Sequence, residues 1–180
     1  NLLDIHRFEA GKISFHRVLL SLPELVHQVL SSFSGIMKHA QIDLRTKIEE
    51  HLPLLALDRS KFARVIANLL INAIKFTPAG GEIAVSCCCG VSEATELAVI
   101  LRIRDTGEGI ATVDLPMIFD RFIQARNQGG RGSGGSGLGL AFCKMVVEAH
   151  GGTISVNSQE GAGSEFVIAL PLPDEDEEDL

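Results

Sequence analysis

Within ANLLINAIKF, residues 67–76, Asn68, Asn72 and Lys75 recur at i, i+4 and i+7. At about 100° per residue, these three form one narrow row along a helix. The apolar residues of the same segment centre roughly 120° away, so the row borders the buried face. Asparagine is a mediocre helix former and is costly to bury without a partner. Two of them stacked one turn apart fit a metal and phosphate site. An amide oxygen is a hard ligand suited to Mg²⁺, which is held by few protein groups together with phosphates. Lys75 would add positive charge for the same phosphates. An exposed polar edge with an incidental lysine fits the spacing equally well.

A second group lies in RIRDTGEGI, residues 102–110. Asp105 ends a strand-like run, and Gly107 and Gly109 come next, two apart. A carboxylate at a strand end can accept from an amino group on a planar base that slides against backbone without side chains. A plain D-x-G turn is the other reading. The third group is GSGGSGLGLAF, residues 132–142, where Gly132, Gly134 and Gly137 have the G-x-G-x-x-G spacing. A dinucleotide-binding turn needs a strand before that motif, and RNQGGR is polar and turn-prone. No G-K-[ST] comes after it, so a P-loop is excluded. The glycine run leads instead into a helix, whose N-terminus offers free N–H groups and a positive dipole end to an anion.

Several elements must position these groups. Leu2, Leu3, Ile5 and Phe8 read as a helix end closed by Gly11. Ser21 and Glu24 form a capping box with Pro23 inside the first turn. Behind them Leu25, Val26, Val29, Leu30, Phe33, Ile36 and Met37 predict an amphipathic helix over 22–39. IDLRTKI (42–48) alternates as a strand does. Asp58 caps a second helix running to about Phe76, with Phe62, Val65, Ile66, Leu69 and Ala73 as its buried stripe. EIAVSCCC and ELAVILRIR read as a hairpin joined by GVSEAT. A third helix is expected from near Leu138 to Gly151, then the strands TISVNS and SEFVIAL around the turn QEGAG. This order predicts an α+β, two-layer α/β sandwich: a mixed, mostly antiparallel sheet covered on one face by three helices.

The chain has 180 residues, 46% of them hydrophobic, which suits one domain with a substantial core. No run approaches 18 apolar residues and no charged-then-apolar leader opens it, so neither a membrane span nor a signal peptide is expected. Beginning at Asn1 without a methionine, it reads as a piece of something longer. Net charge is −7, but six acids lie in DEDEED (174–179), leaving 17 acids against 16 bases. The body therefore offers no basic face to nucleic acid, and residues 174–180 read as an acidic disordered tail. Cys87, Cys88 and Cys89 are consecutive. Neighbours on a strand face opposite sides, so they cannot converge on zinc, and they read as reduced strand filler in a cytoplasmic setting.

Taken in order, NLLINAIKF, DTGEGI, FDRF and GSGLGLAF are far more specific than any one of them. With these segments the chain resembles the ATP-binding catalytic domain of sensor histidine kinases. That domain belongs to the wider group that includes gyrase, mismatch-repair and heat-shock chaperone ATPases, with its Bergerat-type fold. The likeness covers nearly the whole chain. It implies that residues 1–11 end the second helix of the dimerisation and phosphoacceptor hairpin, and that 12–173 form the ATP-binding domain. It also implies site roles. Asn72 would coordinate Mg²⁺ on the ATP phosphates, supported by Asn68 and Lys75, with Arg121 reaching toward the phosphates. Asp105 would accept from the adenine amino group, with Gly107 and Gly109 admitting the ring and Ile110 and Ser164 beside it. Phe119 and Phe122 would anchor a lid that returns through Gly135, Gly137, Leu138, Gly139 and Leu140. Two departures stand out: Ile123 occupies a position where the family often carries an aromatic residue, and the acceptor histidine belongs to a hairpin helix outside this chain.

The implied reaction is transfer of the γ-phosphoryl of ATP to a histidine on the parent kinase's hairpin, and onward to a response regulator receiver domain. The six histidines here, His6, His16, His27, His39, His51 and His150, read as structural or solvated, because an acceptor needs an acid positioned to orient it. ATP-hydrolysing relatives place a glutamate one turn before the metal-binding asparagine. Asn68 stands there and cannot take a proton, so hydrolysis is expected to be slow. A nucleotide-sensing module without catalysis is the alternative. The chain is expected to be monomeric and without membrane contact, and the parent a homodimer, either soluble or membrane-anchored.

Overall fold

The computed structural model describes residues 14–91, 96–121 and 137–172. They form β1 (Val18–Leu20), α1 (Leu22–His39), β2 (Asp43–Ile48), β3 (Leu55–Leu57), α2 (Arg59–Phe76), β4 (Glu82–Val91) and β5 (Leu97–Asp105). A single turn of 3₁₀ helix (Leu115–Met117) comes next, then α3 (Gly139–Ala149), β6 (Thr153–Gln159) and β7 (Gly163–Pro171). The main sheet has the order β2-β4-β5-β7-β6. Its pairs are antiparallel except β2 with β4, which run parallel. The sheet is thus mixed and mostly antiparallel, as the sequence predicts.

Capping sets the helix starts. The Ser21 hydroxyl accepts from the Glu24 N–H at 3.3 Å at the head of α1. Asp58 heads α2 and accepts from Lys61 N at 3.0 Å, the Ser60 hydroxyl at 2.7 Å and His16 N at 3.1 Å. Backbone bonds of this kind satisfy donors that the helix itself leaves unpaired. Asp58 is also buried, which tends to lift its pKa, but the three hydrogen bonds and the nearby Lys61 charge pull it below its ordinary value.

Alternation on the strands decides which face meets the helices. Val99, Leu101 and Ile103 of β5 are buried with Phe166, Ile168 and Leu170 of β7 and with Phe62, Val65, Ile66 and Leu69 of α2. Phe62 of α2 and Phe142 of α3 are fully buried in this layer; burial of one such side chain contributes about 1.5–3 kcal/mol. The opposite face carries a small separate cluster of Ala98, Ile100 and Ala169.

Four local results refine the expectations. Ile36, placed on the buried stripe by its spacing, is 53% exposed. It lies about 100° around the axis from Met37, which fills the core seam instead. Leu70 joins the buried stripe of α2. The strand β3, too short to show a period, pairs antiparallel with β1 as a second, two-stranded sheet. The cysteine triplet lies on β4 as expected, but burial falls along it: Cys87 is buried, Cys88 half-buried and Cys89, on the same strand face as Cys87, exposed toward the strand end. Burial pushes the Cys87 thiol up to about 12.

Candidate functional site

The polar row of α2 occupies the edge of its helix. Asn68 and Asn72 are half-buried and Lys75 is exposed. Asn68 is tied to α3, since its amide Nδ2 donates to the carbonyl of Gly139 at 3.4 Å. The buried Cys143 thiol nearby donates to Val65 O at 3.7 Å, and burial pushes it up to about 12. A Cβ on Gly139 would lie 3.8 Å from Asn68 Cγ, so the start of α3 rests directly on this residue. Among the described residues, no hydrogen bond from another side chain or backbone group occupies the Asn72 amide. Lys75 lies beyond it, with Nζ 5.0 Å from the ring centroid of Phe76.

The other end of the row meets the loop after β5. A Cβ at Gly107 would fall 2.5 Å from the carbonyl oxygen of Phe76, the last residue of α2. Phe76 is four residues beyond Asn72, about 6 Å along the axis. Asn72 and the Asp105–Gly107 turn therefore lie beside the same stretch of α2. Asp105 is 5% exposed, and its Oδ1 accepts from Gly107 N at 2.8 Å. Burial lifts its pKa above the ordinary 3.8, against the lowering pull of the Gly107 and Ser164 backbone N–H groups. A carboxylate has about four acceptor positions. Two backbone donors leave it able to accept from a further group, and burial makes that acceptance strong.

Gly109 has φ +72° and lies so close to the carbonyl of Gln159 that a side chain would clash. Ile110 is half-buried, and Ser164 is buried and pairs with Asp105 across β5 and β7. Phe119 stacks edge-on against Phe166 at 6.3 Å, and beside it Ile118 is 5% exposed. Arg121 is exposed. On the return, Gly137 has φ +65°, Leu138 is buried at the head of α3, and Gly139 and Leu140 are half-buried. Phe122, Gly135, residues 1–11 and the tail 174–180 lie outside the described residues.

Two features escaped the sequence. Ile118 anchors the segment more deeply than the flanking phenylalanine, a role hidden because one aliphatic residue in a loop carries no period. Ser158 bonds Ile110 N at 2.8 Å from 48 residues away, a partnership that no local pattern reveals.

Of the histidines, His150 is buried between the rings of Phe15 and Phe62. Its Nδ1 donates to Val146 O at 2.7 Å and its Nε2 accepts from Asp58 N at 3.1 Å. Burial, the larger influence, and the Arg17 charge hold it below its ordinary 6.5. It is a neutral structural ring. His27 corrects an expectation: it does have an acid beside it, Glu50 at 3.3 Å. The two meet through the fold, 23 residues apart, and both are solvent-exposed.

Among the described residues, no group of three or more His, Cys, Asp or Glu could hold a metal ion. A cation here would depend on amide oxygen and on the ligand's own phosphates, which is how Mg²⁺ is ordinarily held. Asn72 fits that requirement. No helix among the described residues is long and apolar enough to cross a membrane.

Comparison with known proteins identifies the family and the fold. Residues 57–174 match the family described as histidine kinase-, DNA gyrase B- and HSP90-like ATPase. The chain is 37% identical, over 98% of its length, to "Hybrid signal transduction histidine kinase D" of Dictyostelium discoideum, and covers 12% of that protein. It is 36% identical, over 95% of its length, to "Sensor histidine kinase TmoS" of Ectopseudomonas mendocina, covering 17% of it. The chain thus spans less than a fifth of these curated relatives. Among solved structures it is similar to full-length ShkA in complex with AMPPNP, with a TM-score of 0.78 and 26% identity. That match covers 94% of this chain and 34% of ShkA.

Proposed function

Since the chain belongs to the histidine kinase-, DNA gyrase B- and HSP90-like ATPase family, we propose that it binds Mg-ATP as the catalytic domain of a histidine kinase. It passes the γ-phosphoryl to a histidine on a helical hairpin of the parent protein. In that step a bond forms between the ring nitrogen and the γ-phosphorus, the bond from that phosphorus to its bridging oxygen breaks, and ADP leaves. The phosphoryl then goes on to a receiver domain. Residues 12–173 form the nucleotide domain, 1–11 end the hairpin, and 174–180 are an acidic tail.

The observation that carries this reading is the shared stretch of α2, with the Asn72 amide on one side and the Asp105–Gly107 turn against Phe76. Asp105 accepts from the adenine amino group, and the bare backbone of Gly107 and Gly109 lets the ring approach, flanked by Ile110 and Ser164. Asn72 holds the metal, and Lys75 and Arg121 neutralise phosphate charge. Phosphoryl transfer asks a protein mainly for positioning and electrostatic stabilisation, which these groups supply. Bound Mg²⁺ would supply Lewis-acid charge neutralisation on the phosphate oxygens. Asn68 cannot act as a base toward water, and its amide donates to the Gly139 carbonyl. The site therefore favours transfer to a partner over hydrolysis.

The test mixes the chain with a separate hairpin domain and ATP labelled on the γ-phosphate. Label on the hairpin histidine supports the kinase reading. Nucleotide binding without label on any hairpin overturns it and leaves a catalytically silent nucleotide sensor.

A further inference from the structure

The loop that carries Asp105, Gly107 and Gly109 is not held by its own strand alone. It is clamped to the β6–β7 hairpin at two points, one in the turn and one in β6. The Gly161 N–H donates to Glu108 O at 2.6 Å. The Ile110 N–H donates to Ser158 Oγ at 2.8 Å. Gly109 lies between these two bonds, pressed onto the carbonyl of Gln159. A further close approach sets Gly163 against the carbonyl of Asp105.

Ser158 sits in a cross-strand row. It pairs with Ser164, and Ser164 pairs with Asp105, so all three share one face of the sheet. Its hydroxyl donates to Gly163 O at 2.9 Å and lies 2.9 Å from Ser164 Oγ. A hydroxyl has one proton and two lone pairs. With its proton on Gly163 and Ile110 N–H on one lone pair, the remaining lone pair receives the Ser164 hydroxyl. All three positions of Ser158 Oγ are then used. The Ser164 proton is then directed to Ser158 Oγ, and Ser164 Oγ keeps its two lone pairs as acceptors.

We infer that Ser158 is the positioning residue that sets the Asp105–Ile110 loop and the Ser164 hydroxyl for recognition of the amino-bearing edge of adenine. The inference rests on the assignment of Asp105 to the adenine amino group. Ser158 acts through Ile110 and Ser164 and makes no contact with nucleotide itself. Its loss leaves the Ile110 N–H without this acceptor, removes one donor from the Gly163 carbonyl and frees the Ser164 rotor, so the loop loses its height against the hairpin. The phosphate end of the site, on α2 and α3, is untouched.

The test compares Mg-ATP with Mg-purine riboside triphosphate, which lacks the amino group, by calorimetry on the intact chain and its variants. The wild type is expected to prefer ATP by about tenfold or more, as a hydrogen bond to a charged group allows. Ser158→Ala is expected to bring the preference within about threefold, with affinity for Mg-tripolyphosphate unchanged. Ser158→Thr keeps the hydroxyl with its donor and acceptors. It is expected to restore the preference. A purely structural role would lower thermal stability and weaken all three ligands together, without moving the ratio. Should the alanine variant fail to fold, Ser158→Cys, a weak donor and acceptor, carries the same expectation. An undiminished preference in folded Ser158→Ala or Ser158→Cys overturns the inference, provided Asp105→Asn abolishes it. If Asp105→Asn also keeps the preference, the adenine assignment itself is what fails.

Discussion

Gly107 and Phe76 meet so closely that a Cβ on the first would fall 2.5 Å from the carbonyl oxygen of the second. This contact joins the loop after β5 to the last turn of α2, and with it the Asp105 carboxylate to the Asn72 row. Gly107→Ala is expected to push the two apart. Overpacking of this kind costs about 1–3 kcal/mol. Thermal unfolding should show that loss, and nucleotide affinity should fall at least about tenfold. Unchanged affinity would mean that this seam does not set the site.

Asn72 is half-buried on a helix edge, so removing its amide opens no core cavity. Asn72→Ala is expected to leave stability within about 0.5 kcal/mol of wild type. The Mg²⁺-dependent part of ATP affinity should drop by about ten- to a hundredfold. Titrations with and without Mg²⁺ separate that part. Retention of the metal effect would refute the assignment.

Asp105 is held above its ordinary 3.8 mainly by burial. The folded state therefore binds its proton more readily than the unfolded chain does. Its protonated form favours folding fully below about 3.8, and that stabilisation is lost as pH rises through the folded value. At neutral pH the ionised carboxylate weakens the fold. Asp105→Asn should then be no less stable than wild type at pH 7 while binding ATP more weakly. A variant that unfolds more easily at pH 7 would show that the carboxylate is structural.

His150 has the opposite consequence on acidification. Its folded pKa lies below the ordinary 6.5, so the unfolded state takes up a proton first as pH falls. The neutral ring's stabilisation is present above about 6.5 and is lost as pH falls toward the folded value. Protonated Nε2 could no longer accept from Asp58 N. Chemical denaturation between pH 7 and 5 should show wild-type stability falling, with a flatter profile in His150→Gln. Parallel profiles would contradict a buried neutral ring.

The sequence made some parts of this molecule legible and left others dark for physical reasons. Ser21 and Asp58 announced their helices because capping chemistry is local. That Cys87, Cys88 and Cys89 lie on one strand was legible; that Cys89, on the same face as buried Cys87, is exposed was not. The row Asn68, Asn72 and Lys75 was visible as spacing, yet nothing local said what faced it. The contacts of Asn68 with Gly139 and of Gly107 with Phe76 cross 71 and 31 residues and exist only once the layers pack. β3 has three residues, too few for a period, and Ile36 sat at the margin where a 3.6-residue stripe is ambiguous. Ser158 was invisible because one serine in a strand looks like any other until Ile110 reaches it.

The central claim is that Asn72 and Asp105 grip two ends of one nucleotide, and backbone and side-chain amide NMR tests it most directly. Adenosine alone should shift the Gly107 and Gly109 amides, and Mg-tripolyphosphate alone should shift the Asn72 side-chain amide. Mg-ATP should shift both sets with a single dissociation constant. Two different constants, or shifts confined to one set, would contradict the account.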